Sequence, residues 1–443
     1  MTALKDLDVF IVGKNNGIDS LPPLNITGYV DIEFSKWRSD AVVEAQRANL
    51  KDNQHLVRLK LMFGSMEVTP ADFGEMDRML LSLQLPPNLK NISVQQYKGV
   101  EMPRRWLDGL SKLVFIRIEY CSNCRVLPHM SQQPHLKELY LSSFDSLEYV
   151  EDEDDVSVGD GKCDSGAHNN VYYPSLENLQ LLGLTSLKGW TRPSKGDDVG
   201  ETRHWLFPRL LKMNVDHFSK LMSMPLAPKL ESLRAQVINW KVFESNLTSV
   251  DDEEASSSST NLFTSLKELD ISTIEDGPTS LTISNRFSNL QSIHIGHCGE
   301  LTSLMIESSN PIRYLHINGC KHLKNISVGN ISVLDTLIIE GGGNDLEEEL
   351  SQSIACLTTL QKLEISRFNT VKQLPEEMSN LSLLRELKIV DCPKMVSLPL
   401  SLFGLTSLQK LCISSCPDLK ERYEMPNGQD CHLLQHIPNV IFF

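Results

Sequence analysis

The chain has 443 residues, 41% of them apolar and 22% charged, which excludes a disordered or fibrous polypeptide. Its net charge is −15, and the runs at 148–164 and 251–254 carry −11 of that, so there is no basic stripe of the kind a nucleic-acid partner needs. No run approaches the roughly 18 apolar residues of a membrane span, and the N-terminus lacks a basic start leading into an apolar stretch, so neither a membrane span nor a secretory leader is expected.

Along the chain, residues 1–88 read as irregular N-terminal repeats with two helices. Residues 40–53 have helical composition and an apolar face of Ala41, Val42, Ala45 and Ala48. Thr69-Pro70-Ala71-Asp72 has the form of a capping box with Pro in the first turn of a second helix. From Leu56 a skeleton L-x-x-L-x-I/L recurs: LVRLKLMF (Leu56), LKNISVQQY (Leu89), LVFIRIEYC (Leu113), LKELYLSSF (Leu136), LENLQLLGL (Leu176), LLKMNVDHF (Leu210) and LESLRAQVI (Leu230). It continues as LKELDISTI (Leu266), LQSIHIGHC (Leu290), IRYLHINGC (Ile312), LDTLIIEGG (Leu334), LQKLEISRF (Leu360), LRELKIVDC (Leu384) and LQKLCISSC (Leu408). From Leu266 onward the steps are 24, 22, 22, 26, 24 and 24 residues, the period of leucine-rich repeats. The main array is 89–420, with acidic loop insertions near 150–170 and 247–262, and 421–443 is a C-terminal cap; together, 1–443 form one solenoid.

Within each unit the fourth and sixth positions are apolar and alternate with variable residues, the period of a half-buried strand. One coil cannot bury its own apolar edge, so each leucine is expected to pack on its copy in the next coil. The fold class is therefore α/β: a leucine-rich-repeat solenoid of about fourteen repeats. A curved parallel β-sheet would line its concave face, with short helices and irregular turns on the convex side. Five of the ten cysteines (Cys121, Cys298, Cys320, Cys392 and Cys416) occupy the ninth position. There a small, reduced thiol can fill space and donate a weak hydrogen bond to the turn leaving the strand.

Signals for chemistry are absent. No G-x-x-x-x-G-K-[ST] loop, G-x-S-x-G elbow or H-E-x-x-H helix occurs, and Gly341-Gly342-Gly343 has neither a lysine nor a helix start behind it. Cys121-Ser-Asn-Cys124 is half of a zinc pattern without a second half. The chain is read as no enzyme, with no cofactor and no metal. Six N-x-[ST] triplets, at Asn25, Asn91, Asn246, Asn325, Asn330 and Asn380, are discounted as glycosylation sites for want of a leader.

The fifth position, by contrast, changes at nearly every coil: Lys60, Ser93, Arg117, Tyr140, Gln180, Asn214, Arg234, Asp270, His294, His316, Ile338, Glu364, Lys388, Cys412. A monotonous framework under a varied column fits a scaffold that presents a particular binding face. Two clusters stand out as candidate protein-binding residues. Phe115, Arg117, Tyr120 and Tyr140 combine aromatic and guanidinium groups, the composition of binding hot spots. His294, His297, Tyr314 and His316 form the second, with Ile338 on the next coil; their imidazoles suit a stacking or pH-sensitive contact better than a metal, which would lack a third ligand.

Three blocks carry a family resemblance: LKDLDVFIVGKNNGIDSLPPL with AVVEAQRANLKDNQHLVRLKLMF; LLSLQLPPNLKNISVQQYKGVEMPRRWL, with Pro103 and Trp106 in place; and the closing CPDLKERYEMPNGQDCHLLQHIPNVIFF, in which Cys431-His432 stands where a Trp is usual. In these the chain resembles the leucine-rich-repeat region of plant coiled-coil NB-ARC disease-resistance proteins. Those proteins' coiled-coil and nucleotide-binding modules have no counterpart in these residues. The resemblance implies a cytoplasmic plant-defence module that binds a protein ligand, either a pathogen effector or a guarded host protein, or that regulates a nucleotide-binding NB-ARC switch supplied in trans. The alternatives are a stand-alone repeat adaptor and an extracellular repeat inhibitor; the latter is expected to show a leader and L-x-G-x-I-P turns.

Overall fold

In a computed structural model of the chain, the described residues are 5–22, 26–64, 66–131, 133–152, 173–192, 207–222, 224–225, 227–239, 264–275, 277–284, 287–307, 311–329, 333–341 and 353–443. The greater part of the expected acidic insertion at 150–170, and all of that at 247–262, lies outside them. The chain divides into two compact units, Met1–Leu230 and Glu231–Phe443.

The first unit contains β1 (Leu7–Val12), β2 (Tyr29–Phe34), β3 (Arg58–Met62), β4 (Asn91–Gln95), β5 (Phe115–Glu119), β6 (Glu138–Ser142), β7 (Tyr149–Asp152), β8 (Asn178–Leu182), β9 (Gly189–Arg192) and β10 (Lys212–Phe218). A parallel ladder runs β1-β2-β3-β4-β5-β6-β8-β10, one strand per coil. Helices α1 (Ala41–Ala48) and α2 (Phe73–Ser82) lie against each other between these coils. Ala45, Ala48, Met76, Met79 and Leu80 are their buried faces. Thr69 and Asp72 form the reciprocal capping box ahead of α2, with the Thr69 N–H donating to Asp72 at 2.8 Å. That bond is the main reason the Asp72 carboxyl sits below its ordinary pKa.

The second unit contains β11 (Ser232–Asn239), β12 (Glu268–Glu275), β13 (Ser280–Ile283), β14 (Ser292–Gly296), β15 (Ser303–Ile306), β16 (Tyr314–Asn318), β17 (Asn325–Val328), β18 (Thr336–Glu340), β19 (Lys362–Ser366), β20 (Glu386–Val390), β21 (Lys410–Ser414) and β22 (Asn439–Phe442). Its long ladder is β11-β12-β14-β16-β18-β19-β20-β21-β22, again all parallel. The return stretches carry a second, shorter ladder, β13-β15-β17, and β7 pairs with β9 in the same manner in the first unit. Helix α3 (Pro417–Tyr423) starts on the proline directly after Cys416. In the cap, Leu434 and Ile437 are buried, and the Tyr423 hydroxyl accepts from the Leu398 N–H at 3.2 Å.

The repeat explains this regularity. Fourth- and sixth-position side chains stack in register from coil to coil: Leu139, Leu269 and Leu387 are 2%, 2% and 0% exposed, and Leu387 sits between Leu363 and Leu411. Two backbone devices hold neighbouring coils beyond the strands. The second- and third-position N–H groups both donate to the second-position carbonyl of the preceding coil, as Gln291 and Ser292 do to Lys267. Past the strand, the eighth-position N–H reaches the seventh-position carbonyl of the next coil, as from Tyr120 to Ser142, His297 to Asn318 and Asp391 to Ser414. The eighth residue is left-handed in most coils: Gln96, Tyr120, Ser143, Gly183, His217, Val237, Thr273, His297, Gly319, Arg367, Asp391 and Ser415 all have positive φ. The ninth-position thiols complete the turn. Cys121, Cys298, Cys320, Cys392 and Cys416 each donate to the seventh-position carbonyl of their own coil, at 3.2–3.7 Å.

Candidate interaction face

The fifth-position residues form one unbroken column in each unit. In the first, Asp31, Lys60, Ser93, Arg117, Tyr140, Gln180 and Asn214 are successive Cα partners. In the second, the column runs Arg234, Asp270, His294, His316, Ile338, Glu364, Lys388, Cys412 and Ile441. Asp31 and Ile441, from strands outside the fourteen units, extend the two columns.

In the first unit the guanidinium of Arg117 lies over the Tyr140 ring, 4.3 Å from its centroid. It is held there by Glu119, whose Oε2 accepts from Nε and Nη2 of Arg117 at 2.8 and 2.7 Å. Glu119 is only 2% exposed, and its other oxygen accepts from the Gln95 amide. The hydrogen bond to Glu119 raises the Arg117 pKa further, so the group is permanently charged. A cation over an aromatic ring contributes about 0.5–1 kcal/mol at an exposed site, and here the buried carboxylate fixes the cation in that pose. Phe115, two residues before Arg117 on β5, is half-buried; Tyr120 is 55% exposed and sits on the left-handed position. Beside them a hollow of about 410 Å³ opens among Lys60, Asn91, Ser93, Gln95, Phe115 and Arg117.

In the second unit the rings of His294 and His316 lie 4.5 Å apart, tilted by 31°. Each is tethered to a carboxylate that an arginine also holds. His294 Nδ1 is 2.7 Å from Asp270 Oδ1, and Arg234 Nε donates to Asp270 Oδ2 at 2.7 Å. His316 Nε2 is 2.9 Å from Glu340 Oε1, and Arg367 Nη1 donates to Glu340 Oε2 at 2.9 Å. Burial pushes the Asp270 carboxyl up, but the bonds from His294 and Arg234 outweigh it and hold the pKa below its ordinary value. The result is a chain of alternating charge and imidazole, Arg234-Asp270-His294-His316-Glu340-Arg367, across the ladder. Tyr314 is half-buried on β16, and Ile338 follows His316 in the column. His297 belongs to the turn instead: its ring fills the space that a side chain on Gly319 would occupy.

Both sequence clusters are therefore brought together, apart from Tyr120 and His297, which stand on eighth positions at the rim. The carboxylates that organise them, Glu119 and Glu340, went unread; they occupy the seventh position, one residue past the last framework leucine or isoleucine. Among the described residues no three His, Cys, Asp or Glu side chains are grouped as a metal site, and no helix is long and apolar enough to cross a membrane.

Two family models of leucine-rich repeats match parts of this chain. A family model described as R13L1/DRL21 leucine-rich repeats matches residues 18–144, and one for leucine-rich repeats of plant disease resistance proteins like RPS2 matches 276–417. The putative disease resistance protein RGA1 of Solanum bulbocastanum is 30% identical over 302 residues, covering 63% of this chain and 28% of that protein. The putative disease resistance RPP13-like protein 1 of Arabidopsis thaliana is 25% identical over 299 residues, covering 64% and 26%. The chain thus spans little more than a quarter of the length of either. Among solved structures, the leucine-rich-repeat protein LIC12759 of Leptospira interrogans aligns over 94% of this chain and 90% of its own, at 15% identity and a TM-score of 0.38. Over 18–144 and 276–417 the repeats of this chain are similar to the leucine-rich repeats of plant disease-resistance proteins.

Proposed function

We propose that the chain is the recognition module of an intracellular plant immune receptor, binding a protein ligand through the fifth-position face of its ladder. The ligand is a pathogen effector or a guarded host protein, and the same face can also regulate an NB-ARC nucleotide switch supplied in trans. Leucine-rich repeats of resistance proteins generally mediate protein contacts, and the fold and matching families are those of non-catalytic repeat arrays. The observation that carries the reading is the pre-ordering of half-buried groups on that face. Arg117 is clamped over Tyr140 by a buried glutamate, and the two histidines are stacked between carboxylate–arginine pairs. Side chains already fixed before a partner arrives lose less entropy on binding.

The test is quantitative capture of a partner from plant cytosol, comparing the intact chain with Tyr140→Ala, Tyr314→Ala and His316→Ala. Leu400→Ser, on an exposed short turn away from the ladder, serves as control. Loss of at least about tenfold in affinity at one of the first three, corresponding to a hot spot of about 1.4 kcal/mol or more, with Leu400→Ser neutral, supports the reading. Equal capture by all four defeats it.

A further inference from the structure

The ninth-position cysteines come in two pairs on consecutive coils, Cys298 with Cys320 and Cys392 with Cys416. The two pairs share one arrangement. The later sulfur leans back over the preceding coil: Cys320 Sγ is 4.0 Å from the Ile295 carbonyl, and Cys416 Sγ is 3.8 Å from that of Ile389. It also accepts hydrogen bonds from the earlier cysteine, as Cys416 Sγ does from the Cys392 N–H at 3.3 Å. Cys320 accepts likewise from the N–H of Cys298.

Equivalent positions on neighbouring parallel strands are about 4.8 Å apart. That lies inside the roughly 4.4–6.8 Å range of Cα separations a disulfide spans. The ladder keeps the two coils together on both sides of the first pair, with the His297 N–H on the Asn318 carbonyl at 2.7 Å before the cysteines and the Lys324 N–H on the Thr302 carbonyl at 2.8 Å after them.

Access separates the pairs. Cys392 and Cys416 are 0% and 2% exposed, whereas Cys320 is half-buried beside a Cys298 that is 5% exposed. Cys320 alone of the five follows a glycine: Tyr120, His297, Asp391 and Ser415 precede the others.

We propose that Cys298 and Cys320 form an oxidisable pair that a peroxide closes into a disulfide between coils, with Cys320 the attacking thiolate. The Cys320 sulfur attacks one peroxide oxygen, the O–O bond breaks, and the departing hydroxide leaves as water with the thiol proton. Cys298 Sγ then attacks the resulting sulfenic sulfur, its S–O bond breaks, and a second water leaves with the Cys298 proton. Two thiols and one hydrogen peroxide give one disulfide and two waters, the sulfurs being oxidised and the peroxide reduced. Hydrogen bonding from Cys298 favours the Cys320 thiolate and lowers its pKa. The disulfide would fasten together the two coils that carry the stacked His294 and His316 rings.

The test treats the folded chain with hydrogen peroxide, blocks free thiols with an alkylating agent and maps peptides without reduction. The expected result is a Cys298–Cys320 cross-linked peptide, lighter by two hydrogens and restored by dithiothreitol, formed before any Cys392–Cys416 cross-link. In Cys298→Ala, the expected product is a Cys320 sulfenic acid trapped by dimedone. Cys298 and Cys320 both alkylated in full after peroxide, Cys320 advancing to sulfinic acid with no cross-link, or the buried pair closing first would each overturn the proposal. The wild-type measurement needs no variant, so a folding defect in Cys298→Ala leaves the test intact.

Discussion

Glu151 at the end of β7 shows how much one side chain can impose on its surroundings. It is buried, and a single carboxylate oxygen, Oε1, accepts from the Tyr173 hydroxyl at 2.7 Å, the Ser131 N–H at 3.0 Å and the Met130 N–H at 3.2 Å. Burial raises its pKa to about 7 against the pull of those three donors. A carboxyl whose folded pKa exceeds its unfolded value binds its proton more tightly in the folded state. Its contribution to stability is therefore complete below about pH 4.5 and is lost as pH rises through about 7. A shift of this size corresponds to something on the order of 3 kcal/mol. Glu151→Gln keeps an oxygen for the three donors and cannot ionise. In urea unfolding of both proteins, wild type should lose ground to the variant between pH 5 and pH 8. A constant gap across that range would show that Glu151 ionises as an ordinary carboxylate.

At the scale of the coil, the left-handed eighth residue is the feature that sequence hides. Glycine would announce it, but of these left-handed residues only Gly183 and Gly319 are glycines; the others are Gln, Tyr, Ser, His, Val, Thr, Arg or Asp. The ladder bond that N–H groups such as those of Tyr120, His297 and Asp391 make to the next coil offsets a left-handed cost of about 1–2 kcal/mol per residue. Val237, at φ 47°, and Thr273, at φ 52°, carry the worst of it because their side chains are β-branched. Asparagine tolerates this region, so Val237→Asn should stabilise the protein by about 1 kcal/mol and raise its thermal midpoint by about 2–4 °C. A lowered midpoint would mean that packing of the valine outweighs its strain. The charged column makes a second prediction at this scale. Asp270 has a depressed pKa, so its contribution is present above the ordinary carboxylate range and is lost as pH falls through its lower folded value. Asp270→Asn should cost about 1 kcal/mol at pH 7, and the two proteins should converge as acid unfolding is carried below the ordinary carboxylate range. A gap that persists there would place the effect in packing, not charge.

For the molecule as a whole, the framework was legible because each coil obeys the same burial rule. The spacing of Leu139, Leu269 and Leu387 gave strand, face and register together, and the fifth-position column follows from that register without further information. The short ladder β13-β15-β17 was not legible: its strands are four residues each, too short for alternation to separate them from turns. The clamps on Arg117 and His316 were hidden for another reason, since a seventh-position glutamate reads as one more solvated charge until its coil neighbours are known. Stacked coils make nearest-neighbour stability the governing expectation, and Leu387→Ala tests it. Removing this fully buried side chain from between Leu363 and Leu411 should cost about 2–5 kcal/mol. By hydrogen exchange, protection should fall in β19, β20 and β21, while β12 and β14 in the same unit keep theirs. A uniform drop across all the strands from β11 to β22 would show that the unit opens as one cooperative block, and the coil-by-coil account of its stability would fail.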